Sequence, residues 1–285
     1  MTEKDAYCQR LVRDLDKDRY LATLFAPADK RPGLFALYAF NAEVACVRDK
    51  VSDALPGEVR LQWWRDVLSG CGYGDVGGHP VAAALLETIE TYNLPREPFY
   101  NLLEARIFDL YEDPMPTLAD LEGYAGETAS VPMQLASMIL NGDPAQALCD
   151  ASGHGGVAYA LTGLMRSLPW HARRHQMYLP ADMLNAFGVD PNDVFCGRTT
   201  PELKACLAEL RLIARKHLCT TQATIRSLGR GCGPALLPVS LVSGYLERME
   251  RPDYDPLHTA VEIPQWRRQW TLWRACRQAN RCNAC

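Results

Sequence analysis

The chain has 285 residues, 48% of them hydrophobic and 22% charged, with a formal net charge of -4. That is enough apolar material for a sizeable core, which excludes a disordered chain, and the acidic balance argues against nucleic acid as a partner. No apolar run approaches the length of a membrane span, and the opening MTEKDAYCQRLVRDLDKD is too charged for a signal peptide and too acidic for a transit peptide, so a cytoplasmic protein is expected, either free or in peripheral contact with a membrane.

Helical periodicity runs along the chain, and no alternating strand pattern competes with it. The spacing predicts helices over Ala6 to Phe25, Pro32 to Val51, Glu58 to Leu68, Val81 to Tyr92, Glu97 to Tyr111, Thr117 to Leu140, Pro144 to Ser167, Pro201 to Leu228, Gly233 to Met249 and Pro264 to Gln278. Pro32, Pro201 and Pro264 stand where a first turn accepts proline, and Asn141-Gly142, Pro169 and Gly229 mark ends. A loop-rich stretch from Pro169 to Thr200 joins two helical halves without a break in composition, so residues 1–285 read as one all-α domain. The eleven cysteines are odd in number and irregularly spaced. Cys46, Cys149, Cys206 and Cys219 fall inside helical patterns, which suits reduced thiols rather than a disulfide framework. The tail thiols Cys276, Cys282 and Cys285 have no fourth ligand in view, so no metal site is read there.

Polar residues interrupt the helical pattern at four places. In LYAFNAEVACVRDKVSD, Leu37 to Asp53, four-residue spacing puts Asn41, Ala45, Asp49 and Asp53 in one row, with Arg48 and Ser52 beside it. The row is either a solvated face or the lining of a pocket. His171, Arg173, Arg174 and His175 form a basic loop, either solvated or an anion site, because arginine forks onto phosphate without a metal. Glu43 and Glu127 are candidate general bases by residue type, but neither has a partner at a telling spacing and both read as core-edge acids. The last helix places Trp266, Trp270 and Trp273 on one face, with Arg267, Arg268, Arg274 and Arg277 largely off it. Such a helix either packs on the body or lies in a membrane interface.

Three segments carry a family likeness: DRYLATLFAPADKRPGLFALYAF from Asp18 to Phe40, EARIFDLYEDPMPTLADLEGY from Glu104 to Tyr124, and HARRHQMYLPADMLNAFGV from His171 to Val189. In this order and spacing they resemble the squalene/phytoene synthase family over Asp18 to Met249. The resemblance implies an all-α isoprenoid-synthase fold with a central cavity. In active members two aspartate-rich motifs face each other there and hold magnesium ions, which bind a prenyl diphosphate and help it leave. The first motif falls on Ala45, Cys46, Val47, Arg48 and Asp49, and only Asp49 matches. The second falls on Gly163, Leu164, Met165, Arg166 and Ser167, then His171, and only Arg166 matches. The family's Ser-Phe-Tyr, whose serine faces the diphosphate, reads Asp18, Arg19 and Tyr20. Tyr178, Leu179 and Pro180 match its Tyr-Leu-Pro, and Asp109 matches its Asp-Leu pair.

Magnesium wants oxygen ligands, and one carboxylate from two motifs is a poor supply, with Arg48 and His171 adding positive charge. A cation repels another by roughly 4 kcal/mol at about 4 Å under an effective dielectric of about 20. No catalytic residue, metal ligand or cofactor is therefore expected; magnesium enters only if the chain is an enzyme after all. The expected pocket or anion-binding set is Asn41, Arg48, Asp49, Asp53, Arg166, His171, Arg173, Arg174 and Tyr178. With no ligand present, Arg166 or Arg48 is expected to bridge to Asp49 or Asp53.

A narrower branch shares the pattern Ala39, Phe40, Asn41, Glu43, Ala45, Val47, Arg48, Asp49, Val51, Ser52 and a turn like MRSLPWHARR. It comprises the mitochondrial complex I assembly factor with a squalene/phytoene synthase-like fold and its bacterial relatives. That resemblance implies a non-catalytic protein whose partner is a subunit or assembly intermediate of respiratory complex I. Two alternatives stay open: a prenyl-diphosphate transferase with relocated acids, and a metal-independent binder of isoprenoid or lipid phosphate that uses Arg48, Arg166 and Arg173.

Overall fold

The computed structural model describes residues 2–72, 74, 76–142, 146–227 and 233–282. Pro144, Leu228, Gly229 and Cys285 of the sequence reading lie outside them. Among the described residues all regular structure is helical: α1 (Glu3–Leu15), α2 (Lys17–Thr23), α3 (Arg31–Ala45), α4 (Ala54–Ser69), α5 (Pro80–Thr91), α6 (Glu97–Ala105), α7 (Leu118–Ala125), α8 (Val131–Asn141), α9 (Gln146–Arg166), α10 (Leu168–Arg173), α11 (Ala181–Phe187), α12 (Pro191–Phe195), α13 (Pro201–Ser227), α14 (Val242–Met249) and α15 (Gln265–Cys282).

Local chemistry explains most starts and stops. Capping boxes open α1 (Thr2 with Asp5) and α7 (Thr117 with Asp120), satisfying amides that have no partner within the helix. Gly70 and Gly188 end α4 and α11 at φ 81° and 69°, a region that a side chain makes costly.

Four predicted helices are broken inside. The segment Ala6 to Phe25 divides at Asp16, whose carboxylate caps α2 by accepting from the Arg19 amide at 3.0 Å. The segment Pro32 to Val51 ends as α-helix at Ala45 and continues as a short 3-10 turn, Arg48–Lys50. Arg48 donates to the carbonyls of Val51 and Ser52 at 3.3 and 3.5 Å, holding that turn. The segment Glu97 to Tyr111 tightens into a 3-10 turn at Arg106–Leu110, and Thr117 to Leu140 passes through a π turn at Gly126–Ser130. Pro132 follows the π turn and has no N–H to close an α turn on Thr128. The stretch Pro169 to Thr200 holds α10, α11 and α12, and the segment beginning at Gly233 becomes α14 only after a 3-10 turn, Leu237–Leu241.

Two apolar clusters form the core. One gathers α3 with α1, α4, α5, α6 and α8; the other gathers α9 and α13 with α7, α11 and α14. Fully buried side chains such as Phe40, Phe99 and Leu161 each contribute about 1.5–3 kcal/mol in transfer terms. α9 lies close against the π turn, where a Cβ on Gly156 would overlap Ser130. Ser130 in turn donates to the Gly153 carbonyl at 2.7 Å. α2 packs against α3 and α15.

Candidate functional site

The polar interior begins at α2. Arg19 is buried, donates to Asp16 at 2.8 Å, and lies between the Tyr38 ring of α3 at 5.5 Å and the Tyr159 ring of α9 at 5.3 Å. The two helices expected to flank the pocket thus face a common guanidinium. Its neighbour Asp18 is also buried and accepts from Tyr245 at 2.9 Å. Arg268 of α15 brings Nε within 2.8 Å of Asp18 Oδ1 and donates Nη2 to the Tyr245 hydroxyl at 3.1 Å. The Asp18 Oδ1 and Arg268 Nε atoms meet as an ion pair, off the hydrogen-bond line. Burial pushes the Asp18 carboxyl above the usual carboxylate range, against the pull of Arg268, Arg166 and Tyr245. Arg166 completes this cluster, with its guanidinium 3.8 Å from the Tyr245 ring centre and its Nε donating to Val261 at 3.2 Å.

A second cluster surrounds Asp109. Tyr124 and Tyr178 each donate to Oδ1 at 2.7 Å, and Arg106 donates to Oδ2 at 2.9 Å and to the Tyr124 hydroxyl at 2.8 Å. Gln176 donates to the Asp109 carbonyl at 2.9 Å. His171 packs on Tyr178 with ring centres 4.6 Å apart. Burial pushes its imidazole down to about 4, although Asp109 pulls the other way. His171 is therefore neutral at pH 7, which corrects the expectation that it adds positive charge.

At the surface Asp49 pairs with Arg174, whose guanidinium lies 4.3 Å from the Trp170 ring centre. The expected bridge from Arg166 or Arg48 to Asp49 or Asp53 is thus corrected. Arg48 is consumed by its own turn, Asp53 accepts from Ser52 at 2.9 Å, and Arg166 turns to Tyr245. The physical reason is the break at Ala45, which takes Asp49 off the row it would share with Asn41 on a continuous helix. Asn41 stays buried, with Oδ1 unpartnered among the described residues. Arg173 is exposed and makes no ion pair among the described residues.

Among the nine expected residues the structure shows two direct contacts between side chains. Asp49 meets Arg174 and His171 meets Tyr178. Sequence reasoning missed Arg19, Arg106, Tyr124, Tyr159, Tyr245 and Arg268. Arg19 and Arg106 stand three residues from Asp16 and Asp109, a helical spacing that could have found them. Nothing local marks Arg268. Of the two candidate bases, Glu43 lies 3.6 Å from His79 Nε2, and Glu127 has a buried Oε2 without a partner among the described residues.

The family resemblance implies magnesium, and the residues present do not fit it. Asp49 is committed to Arg174, while Asp18 and Asp109 are committed to Arg268 and Arg106. Among the described residues no three His, Cys, Asp or Glu side chains converge as a metal site. What the arrangement does chemically is neutralise buried charge and tie α2, α3, α9, α14 and α15 together.

A family model described as squalene/phytoene synthase matches residues 12–274. The chain is 28% identical over 278 residues to "NADH dehydrogenase (ubiquinone) complex I, assembly factor 6" of Bos taurus, covering 93% of this chain and 83% of that one. It is 29% identical over 273 residues to a phytoene synthase of Thermus thermophilus, covering 93% and 90%. A solved dehydrosqualene synthase in complex with ligand superposes with a TM-score of 0.78 at 18% identity over 98% of this chain and 97% of that one, a likeness of fold.

Proposed function

We propose, from the premise that this chain belongs to the squalene/phytoene synthase family, that it is a non-catalytic member acting as an assembly factor for respiratory complex I. One observation carries the reading. Where the resemblance puts a serine facing the diphosphate, this chain has Asp18, locked by Arg268 and Tyr245, and the next residue, Arg19, lies between α3 and α9. A diphosphate with its magnesium would have to displace paired charges at that point, and breaking one such pair costs about 3–5 kcal/mol. The similarity to complex I assembly factor 6 supports the choice of client. The whole chain, residues 1–285, acts as one unit in this reading, at the cytoplasmic side. Peripheral membrane contact belongs with it, because a respiratory complex is assembled in a membrane.

The test is deletion of the gene in its own organism. Native gels should show loss of assembled complex I and of NADH:quinone oxidoreductase activity, both restored by the intact gene. Normal complex I in the deletion strain would overturn the assembly role. Turnover of farnesyl or geranylgeranyl diphosphate with magnesium at about 1 per second or faster would establish the prenyltransferase instead.

The exposed Arg173, which makes no ion pair among the described residues, favours a second reading as a binder of isoprenoid or lipid phosphate. Calorimetry with inorganic diphosphate in the absence of metal separates it: binding lost in Arg173→Ala supports an anion site, and no heat removes it.

A further inference from the structure

α15 has two faces of opposite character. Arg268 and Leu272 turn inward, Arg268 onto Asp18 and Tyr245. Trp266, Trp270 and Trp273 turn outward and are 69%, 53% and 38% exposed. The helix thus packs on the body chiefly through its other face and leaves much of its indole surface open. Trp270 and Trp273 stack with ring centres 4.9 Å apart, and Arg277 lies over Trp273 at 4.6 Å. The indoles form one wall of a groove of about 530 Å³, and Leu21, Leu24 and Phe25 of α2 form the other. Three neighbouring exposed indoles on one helix face form a contiguous apolar patch, and such a patch marks an interaction site.

The charge around the groove decides what fits it. From Gln265 to Cys282 the sequence holds Arg267, Arg268, Arg274, Arg277 and Arg281 and no acidic residue. Arg268 is neutralised by Asp18, whereas Arg267, Arg274 and Arg277 are exposed. A second copy of the same face would set arginine against arginine, which like-charge repulsion opposes. No helix among the described residues is long and apolar enough to cross a membrane. Indoles combine a flat apolar body with one N–H donor and settle at the headgroup level of a bilayer, and arginines at that level attract lipid phosphates.

We propose that the tryptophan face of α15 and the α2 groove beside it dock this protein on an anionic lipid surface, with Trp266, Trp270 and Trp273 among the headgroups and Arg267, Arg274 and Arg277 on their phosphates. This names the lipid class and the contact face for the membrane side of the functional reading. Vesicle binding is measured independently of complex I assembly, so either can fail alone.

The experiment is co-sedimentation of the purified full chain with vesicles of phosphatidylcholine alone and of equal parts phosphatidylcholine and phosphatidylglycerol. The intact protein should bind the mixed vesicles at least about tenfold better and release them as salt rises. Trp266→Ser with Trp270→Ser and Trp273→Ser should lose most binding to both vesicles. Arg267→Gln with Arg274→Gln and Arg277→Gln should lose only the preference for the anionic ones. All six side chains are exposed, and circular dichroism checks that the variants fold. Failure to bind either vesicle, equal binding by the tryptophan variant, or equal binding to both vesicles by the intact protein would each overturn the proposal. So would self-association that the tryptophan variant abolishes in a chain that ignores vesicles, which would give the face to a second copy.

Discussion

Replacing Asp18 by Ala tests what holds the interior together. The Asp18 and Arg268 side chains are 7% and 9% exposed, and their charged atoms lie 2.8 Å apart. Alanine takes from Arg268 the carboxylate it is paired with, leaving Tyr245 and the lesser influence of Glu262, and it removes the carboxylate that Arg166 also faces. Removing one partner of a buried pair costs about 3–5 kcal/mol. For 285 residues the unfolding entropy is about 0.6 kcal/mol/K, so Tm should fall by about 5–8 °C. The double substitution Asp18→Leu with Arg268→Met should recover at least half of that loss. Both ions then leave, and burial already works against the Asp18 carboxylate, whose titration is pushed above its ordinary range. Thermal melts followed by circular dichroism, together with urea titrations, of the intact protein, Asp18→Leu, Arg268→Met and the double substitution give the four corners of the cycle. A single-substitution loss under about 2 °C, or additive losses in the double substitution, would refute the claim that Asp18 and Arg268 form one buried unit.

Three further outcomes follow from the same geometry. His171 has a folded value near 4 against an ordinary 6.5, so its contribution is fully present above pH 6.5 and is lost as pH falls toward 4; melts across that range should show a steeper decline for the intact protein than for His171→Phe. Asp49 and Arg174 are 43% and 33% exposed, so their double-mutant cycle should give about 1 kcal/mol or less, shrinking with salt, while Asp49→Ala and Arg166→Ala should be additive. Glu127 is raised by burial and has no neutralising partner among the described residues, so a contribution present below its ordinary 4.5 is lost as pH rises, and Glu127→Gln should be at least as stable as the intact protein at pH 7 by urea titration.

The apolar period of 3.6 residues and the prolines and caps at helix starts were enough to identify the all-α class and most helix positions, because those signals act within a few residues of where they stand. Arg31–Ala45, Pro80–Thr91 and Pro201–Ser227 all begin within one residue of the sequence reading. The segments around Asp18, Asp109 and Tyr178 likewise carried the family, since a resemblance is a property of order and spacing. What sequence could not supply was the breaks. Apolar residues keep their period straight through Asp16, Ala45 and Gly126, so periodicity alone joins pieces that a capping carboxylate, a 3-10 turn or a proline without an N–H separates.

The pairing of charges was further from reach. Asp49, Arg166 and Arg174 were legible as polar residues near one pocket, but which guanidinium meets which carboxylate depends on where α9 ends and how α10 returns toward the turn after α3. The break after Ala45 gave Asp49 to Arg174. The seating of α15 gave Asp18 to Arg268, from opposite ends of the chain. An ion pair is decided over a few ångströms, and a helix register read from sequence is uncertain by about a turn, roughly 5 Å. By itself, then, the sequence determined the helices and the family; only the tertiary structure decided that buried arginines fill the interior and that the tryptophans of α15 face outward.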